Sequence, residues 1–217
     1  MKNFAFVSDF DGTLTDRDFY HIVIDKYLKD WGRNFYIEWK KTNKINVDFL
    51  NRIFGSLKLT ENELHDEILQ LPFDRTAVSF MDKVNNAGGR FYILSAGTSY
   101  YIEILLKHLN ISNVSIISMK GIYKDGGISI IPDEKSPYYS DIFGLDKKKV
   151  IEELKEKHGF VFFAGDSEPD LTAAKTADTA FAKAELAELL QKENGNFIPF
   201  KKYKEIEKYL TDKGWFE

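Results

Sequence analysis

The sequence predicts an α/β protein: a doubly wound, Rossmann-like parallel sheet with a small helical cap inserted after its first strand. Three observations lead there. Short apolar runs of strand length alternate with amphipathic stretches of helix length, as βαβ units require. Acidic or glycine-containing turns follow several of these runs, where open parallel sheets place their reactive crevice. One long stretch, residues 16–75, breaks the alternation and reads almost wholly as helix.

Residues 3–8 (NFAFVS) form the first expected strand, aromatic and β-branched and ending on an acidic turn. Residues 90–95 (RFYILS) form the next, set between Gly88-Gly89 and Ala96-Gly97. Residues 114–119, 160–164 and 179–182 have the same character, and residues 195–199 suit an edge strand. Helical spacing of apolar residues marks 76–87, 99–109, 148–157, 170–177 and 184–192. Within the insertion, 19–31 and 46–57 are helical, and Thr60 with Glu63 has the spacing of a capping box. The irregular stretch 120–146 contains a hairpin signal at Asp125-Gly126-Gly127. The expected division is therefore a core of residues 1–15 and 76–217 and a cap of residues 16–75.

A chain of 217 residues suffices for such a core with a small insertion. Its formal charge of −4 disfavours nucleic acid as a partner, because phosphate backbones reward a basic surface. The absence of cysteine excludes disulfides, thiolate ligands and a cysteine nucleophile. The opening MKNFAFVSDFDG is too short and too soon charged for a signal peptide or membrane span, so a cytoplasmic location is expected.

Four signals at strand ends carry chemistry. Asp9-Phe10-Asp11-Gly12-Thr13 puts two carboxylates in one turn. One can attack phosphorus while the other protonates a leaving oxygen and later deprotonates water. Thr13 and nearby amides can hold phosphate oxygens. Ser95, followed by the small Ala96 and Gly97, can do the same beside exposed backbone. The run Lys147-Lys148-Lys149 opens a helix against its dipole, which calls for an anion nearby. Gly165-Asp166-Ser167-Glu168-Pro169-Asp170 offers Asp166 as a magnesium ligand, and Asp170 as a ligand through water, an orienting group or a helix cap.

Taken in order, these signals resemble the motifs of the haloacid-dehalogenase-like (HAD) superfamily: DxDGT at Asp9–Thr13, a strand-end Ser95, Lys147 at a K-x-x-[VI]-[IL] helix start, and GDxxxD at Gly165, Asp166 and Asp170. The resemblance covers residues 4–185. It implies Asp9 as nucleophile and metal ligand, and Asp11 as general acid/base that lends a backbone carbonyl to Mg²⁺. It further implies Asp166 as metal ligand, and Ser95 and Lys147 as holders of the phosphoryl group. The helical insertion is similar to the cap of the phosphoserine-phosphatase-like branch, which implies substrate contacts from Asp18 and Arg52. The strings DFDGTLTDRD, NRIFGSL and DKKKVIEEL resemble the branch's enol-phosphate phosphatases of methionine salvage. The expected partner is thus a small phosphorylated metabolite, neither nucleic acid nor membrane, and the expected activity is phosphomonoester hydrolysis. Phosphotransfer would use the same residues. A response-regulator-like module would lack the insertion and the Asp9–Asp11 pair.

Overall fold

The computed structural model describes residues 3–41 and 44–216. Among these, a seven-stranded sheet runs in the order β4-β3-β2-β1-β5-β6-β7. The strands are β1 (Phe4–Ser8), β2 (Gly89–Thr98), β3 (Val114–Lys124), β4 (Gly127–Ile131), β5 (Phe160–Gly165), β6 (Thr179–Ala182) and β7 (Ile198–Pro199). All pairings are parallel except β3 with β4. β1 is central, with β2 on one side and β5 on the other, so the crevice of the sheet opens at its C-terminal end.

The alternation of side chains along β1 divides the core. Phe4 and Phe6 face one layer, where they pack with Phe80, Phe91, Phe162 and Tyr203. Ala5 and Val7 face the other, against Val150, Ile151, Leu154, Ala173 and Leu186. The first layer holds the helices α5 (Thr76–Asn86), α6 (Ser99–His108) and α10 (Tyr203–Asp212), and the second holds α7 (Lys147–Lys157), α8 (Leu171–Thr176) and α9 (Ala184–Lys192). Helices on both faces make the sheet doubly wound. The helix α10 goes beyond the periodic stretches assigned above. Tyr203, Ile206 and Leu210 form its buried stripe at i, i+3 and i+7.

Residues 16–75 emerge after β1 and return before α5. Their base is pinned by a β-bridge between Thr15 and Phe73 and by hydrogen bonds from Asp16 N to Pro72 O (2.9 Å) and from Asp74 N to Leu14 O (2.8 Å). The insertion contains α1 (Phe19–Val23), a π-turn at Ile24–Leu28, α2 (Lys29–Lys40), α3 (Val47–Gly55) and α4 (Glu61–Leu69). The capping box of Thr60 with Glu63 is formed. Beyond the expected end at residue 31 the helix continues through Gly32, where a Cβ would lie 2.7 Å from that of Leu28.

The hairpin turns at Asp125 and Gly126, both with positive φ, as a tight two-residue turn requires. β3 extends past the expected residue 119 to form its first arm. Asn51 of α3 covers β4, accepting from Ile130 N at 2.7 Å and donating to Ile130 O at 3.1 Å. This satisfies part of an edge strand and seats the insertion on the sheet. Among the described residues, no helix is long and apolar enough to cross a membrane.

Candidate active site

The turn after β1 sets the site. Asp9 N continues the ladder to Ala164 O at 2.9 Å, and the amides of Thr13, Leu14 and Thr15 then converge on Phe10 O. Gly12 has φ +75°, and a Cβ there would meet Asp166 Oδ2 at 2.3 Å. Only glycine allows both the turn and the approach of the β5 loop. Thr13 Oγ1 closes that approach by donating to Asp166 Oδ1 at 2.7 Å.

Lys147 is the buried member of the lysine run, 3% exposed, whereas Lys148 and Lys149 are exposed. Its Nζ lies 2.6 Å from both Asp9 Oδ1 and Asp170 Oδ1. The anion that the run demands is thus supplied three times over, by these two carboxylates and by the cap Asp146, which accepts from the amides of Lys148 and Lys149. Burial works against the charge of Lys147, but Asp170 and Asp9 hold its pKa above the usual lysine value. Asp170 is wholly buried, and its Oδ2 accepts from Asp166 N (3.0 Å) and Ser167 N (3.2 Å). Gly165 leaves room for it, since a Cβ there would sit 2.7 Å from the Asp170 carboxyl carbon.

Asp9, Asp166 and Asp170 present carboxylate oxygens within 4.8 Å of one another. Burial raises the pKa of Asp9 well above the carboxylate range; Lys147 opposes this, while Asp170 and Asp166 add to it. Asp166 is pushed up to about 7 by burial and then by the charge of Asp170. The cluster is therefore short of positive charge.

Ser95 stands where β2 loses regular register with β3, so Ala96 and Gly97 turn into the pocket. Its Oγ accepts from Gly97 N at 3.0 Å, which leaves its own hydrogen for an acceptor in the pocket. Asp11 has both oxygens engaged: Oδ1 accepts from Phe19 N at 3.0 Å and Oδ2 from the Tyr101 hydroxyl at 2.5 Å. Burial raises its pKa, and these two bonds pull it back.

Asp9, Asp11, Ser95, Ala96, Gly97, Tyr101 and Lys147 line one side of a narrow cleft. The insertion lines the other with Ile45, Leu50 and Phe54, together with Tyr20 and Asp18. Asp18 occupies the N-cap position of α1 but makes no capping bond with its side chain. Burial, then the charges of Asp11 and Asp166, push its pKa up to about 8. Beside this cleft lies a wider one, bordered by Lys40, Lys41 and Lys44, across which Lys44 pairs with Glu168 at 2.5 Å.

The structure thus brings together Asp9, Asp11, Thr13, Asp18, Ser95, Ala96, Gly97, Lys147, Asp166 and Asp170. Arg52, expected at the substrate, is exposed and borders neither cleft. Phe49, Leu50, Ile53 and Phe54 take the inward face of α3, and the helical phase turns Arg52 outward. Asp170, expected at a metal through water or as an orienting group, presents an oxygen within 4.8 Å of those of Asp9 and Asp166, and its carboxylate also accepts from Lys147 and two amides. Among the insertion's aromatics, Tyr20 and Phe54 reach the cleft, whereas Phe19 is core. Tyr101 was not expected; a tyrosine in the buried stripe of a helix gives no signal that separates it from core.

A model of the haloacid dehalogenase-like hydrolases matches residues 6–175. A 2-hydroxy-3-keto-5-methylthiopentenyl-1-phosphate phosphatase of Bacillus cereus (strain ATCC 10987 / NRS 248) is 26% identical over 211 residues, 93% of each chain. Its counterpart in Bacillus thuringiensis subsp. konkukian (strain 97-27) is 25% identical over 208 residues, again 93% of each. The fold is similar to that of a phosphoserine phosphatase solved as an analogue of its phospho-aspartyl intermediate, with TM-score 0.69, 17% identity, and coverage of 96% of this chain and 99% of that one. With its motifs gathered at the ends of β1, β2 and β5, the chain belongs to the haloacid dehalogenase-like hydrolase family.

Proposed function

We propose that the protein hydrolyses a small phosphomonoester with an uncharged, largely apolar organic part, through an aspartyl-phosphate on Asp9 and with Mg²⁺ as cofactor. One observation carries the chemistry: Asp9 is buried at the crevice with Lys147 at 2.6 Å and Asp166 within reach of the same ion. The donor set fits magnesium, which prefers a few carboxylate oxygens and completes its shell with substrate and water. The raised pKa values of Asp9 and Asp166 mark a site that gains from a cation. Asp9, Asp166 and the backbone carbonyl of Asp11 would hold it. When bound, Mg²⁺ supplies positive charge that offsets the phosphate dianion facing a carboxylate nucleophile.

In the first half-reaction an Asp9 oxygen bonds to phosphorus as the ester P–O bond breaks, and Asp11 gives its proton to the leaving oxygen. In the second, Asp11 takes a proton from water, the water oxygen bonds to phosphorus, and the Asp9–phosphorus bond breaks to release inorganic phosphate. Lys147 holds the attacking carboxylate, and Ser95, Thr13 and the amides around Ala96 and Gly97 receive phosphoryl oxygens. Asp170 acts as the frame that fixes Lys147 and the Asp166 loop. Residues 16–75 act as a cap that shields the bond being broken and reads the organic group.

The wall formed by Ile45, Leu50 and Phe54 supports the substrate class. With Arg52 outside, no cation among the described residues of the insertion lines the inner cleft to pair a substrate carboxylate. An Asp18 that stays neutral near pH 7 can donate to a hydroxyl or keto oxygen. An enol-phosphate with a methylthio tail, the substrate type in the relatives' name, suits this wall better than phosphoserine does. The expected kcat/KM favours it over phosphoserine by about tenfold or more. Equal use of the two would overturn the substrate reading, and indifference to EDTA would overturn the metal.

A further inference from the structure

Tyr101 lies outside the motifs yet touches the group that moves the proton. Its hydroxyl donates to Asp11 Oδ2, 2.5 Å away. The ring is 1% exposed and is held by Phe10, Phe19 and Phe54 at centroid distances of 5.9, 5.2 and 6.1 Å. The loop before it is shaped around the hydroxyl: a Cβ on Gly97 would sit 1.9 Å from the Tyr101 oxygen. The other oxygen of Asp11 is bound to Phe19 N at 3.0 Å, at the start of α1. One bond to a carboxyl leaves it free to turn about Cβ–Cγ. Two bonds, one on each oxygen and from different elements, fix its plane.

We propose that the Tyr101 hydroxyl is a positioning residue, which fixes the plane of the Asp11 carboxyl so that its proton reaches the leaving oxygen. The inference rests on the reading of Asp11 as the acid/base and adds a residue to it. Proton delivery matters when the leaving oxygen is a poor leaving group, as in an alkyl phosphate. It matters little for 2,4-dinitrophenyl phosphate, whose phenolate departs unprotonated. A hydroxyl that merely stabilises the fold would serve both substrates alike.

The test compares kcat/KM, which reports the steps through departure of the alcohol, for glycerol 2-phosphate and 2,4-dinitrophenyl phosphate in wild type, Tyr101→Phe, Asp11→Asn and the double variant. Tyr101→Phe is expected to lose about ten- to a hundredfold on the alkyl ester and less than about threefold on the aryl ester. In the Asp11→Asn background it should cost nothing further on either. An equal loss on both esters, no loss on either, or full additivity with Asp11→Asn overturns the proposal. If Asp11→Asn itself shows no difference between the esters, the acid/base reading falls and takes the inference with it. If Asp11→Asn discriminates and Tyr101→Phe does not, only the inference falls.

Discussion

The two walls of the inner cleft are built on different principles. On the core side, Asp9, Asp11, Ser95 and Lys147, with Asp166 and Asp170 behind them, are each held by hydrogen bonds or ion pairs to backbone or neighbouring side chains. On the insertion side, Ile45, Leu50 and Phe54 meet the cleft through apolar surface alone. The first wall has little freedom to change, because each group satisfies another that would otherwise be buried unpaired. The second can be resurfaced helix position by helix position. On the proposed function, the reaction is fixed by loops at strand ends, while the choice of organic group falls to the apolar side chains of the insertion.

The largest effect expected across this contrast is that of Asp9→Asn, which should lower kcat on an aryl phosphate by about 10⁴-fold or more. Substantial residual turnover would remove Asp9 as nucleophile. Lys147→Met should cost about 10² to 10³ in kcat and up to about 3 to 5 kcal/mol in urea unfolding, since it strands two buried carboxylates. Lys148→Ala, on the exposed face, should change neither. On the opposite wall, Leu50→Ala should raise KM for an apolar-tailed substrate about tenfold while sparing kcat on aryl esters. A fall in kcat instead would mean that the walls are not separable.

Smaller is the effect of pH on metal-free protein. Asp166 and Asp18 have pKa values raised in the fold from the usual 3.8 to about 7 and about 8, so the folded state keeps protons that the unfolded chain has released. The stability these groups contribute is present below their usual pKa and is lost as pH rises through the raised values. Melting temperature without metal should thus fall between about pH 5 and about pH 8, and Mg²⁺ should restore more of it at the upper end. A flat profile would contradict the charge-poor cluster. Least of all, Arg52→Ala should alter kcat/KM by no more than about twofold. A larger loss would bring Arg52 back to the substrate.

The same contrast governs what could be read in the sequence. Asp9, Asp11 and Asp166 were legible because each sits in a short loop straight after an apolar strand, so local order stands in for spatial order. The three lysines were equivalent by composition; the spacing of the family motif favoured Lys147, and the phase of α7 buries it while leaving its neighbours exposed. Arg52 had the right distance along the chain but the wrong rotation on α3, whose inward face is already filled by Phe49, Leu50, Ile53 and Phe54. Tyr101 was hidden for the opposite reason: its role lies in one hydroxyl on a ring that otherwise behaves as core. The π-turn at Ile24–Leu28 has no sequence signal that periodicity can detect.

The ion pair between Lys44 and Glu168 bridges the insertion and the loop that carries Asp166, with both side chains about half in solvent. A bridge of that exposure contributes about 0 to 1 kcal/mol and weakens as salt rises. It is a bias on the entrance and no more than that. The Lys147–Asp9 pair, sealed from water, escapes the same screening. Ionic strength is therefore a handle that loosens the doorway while leaving the furnace untouched.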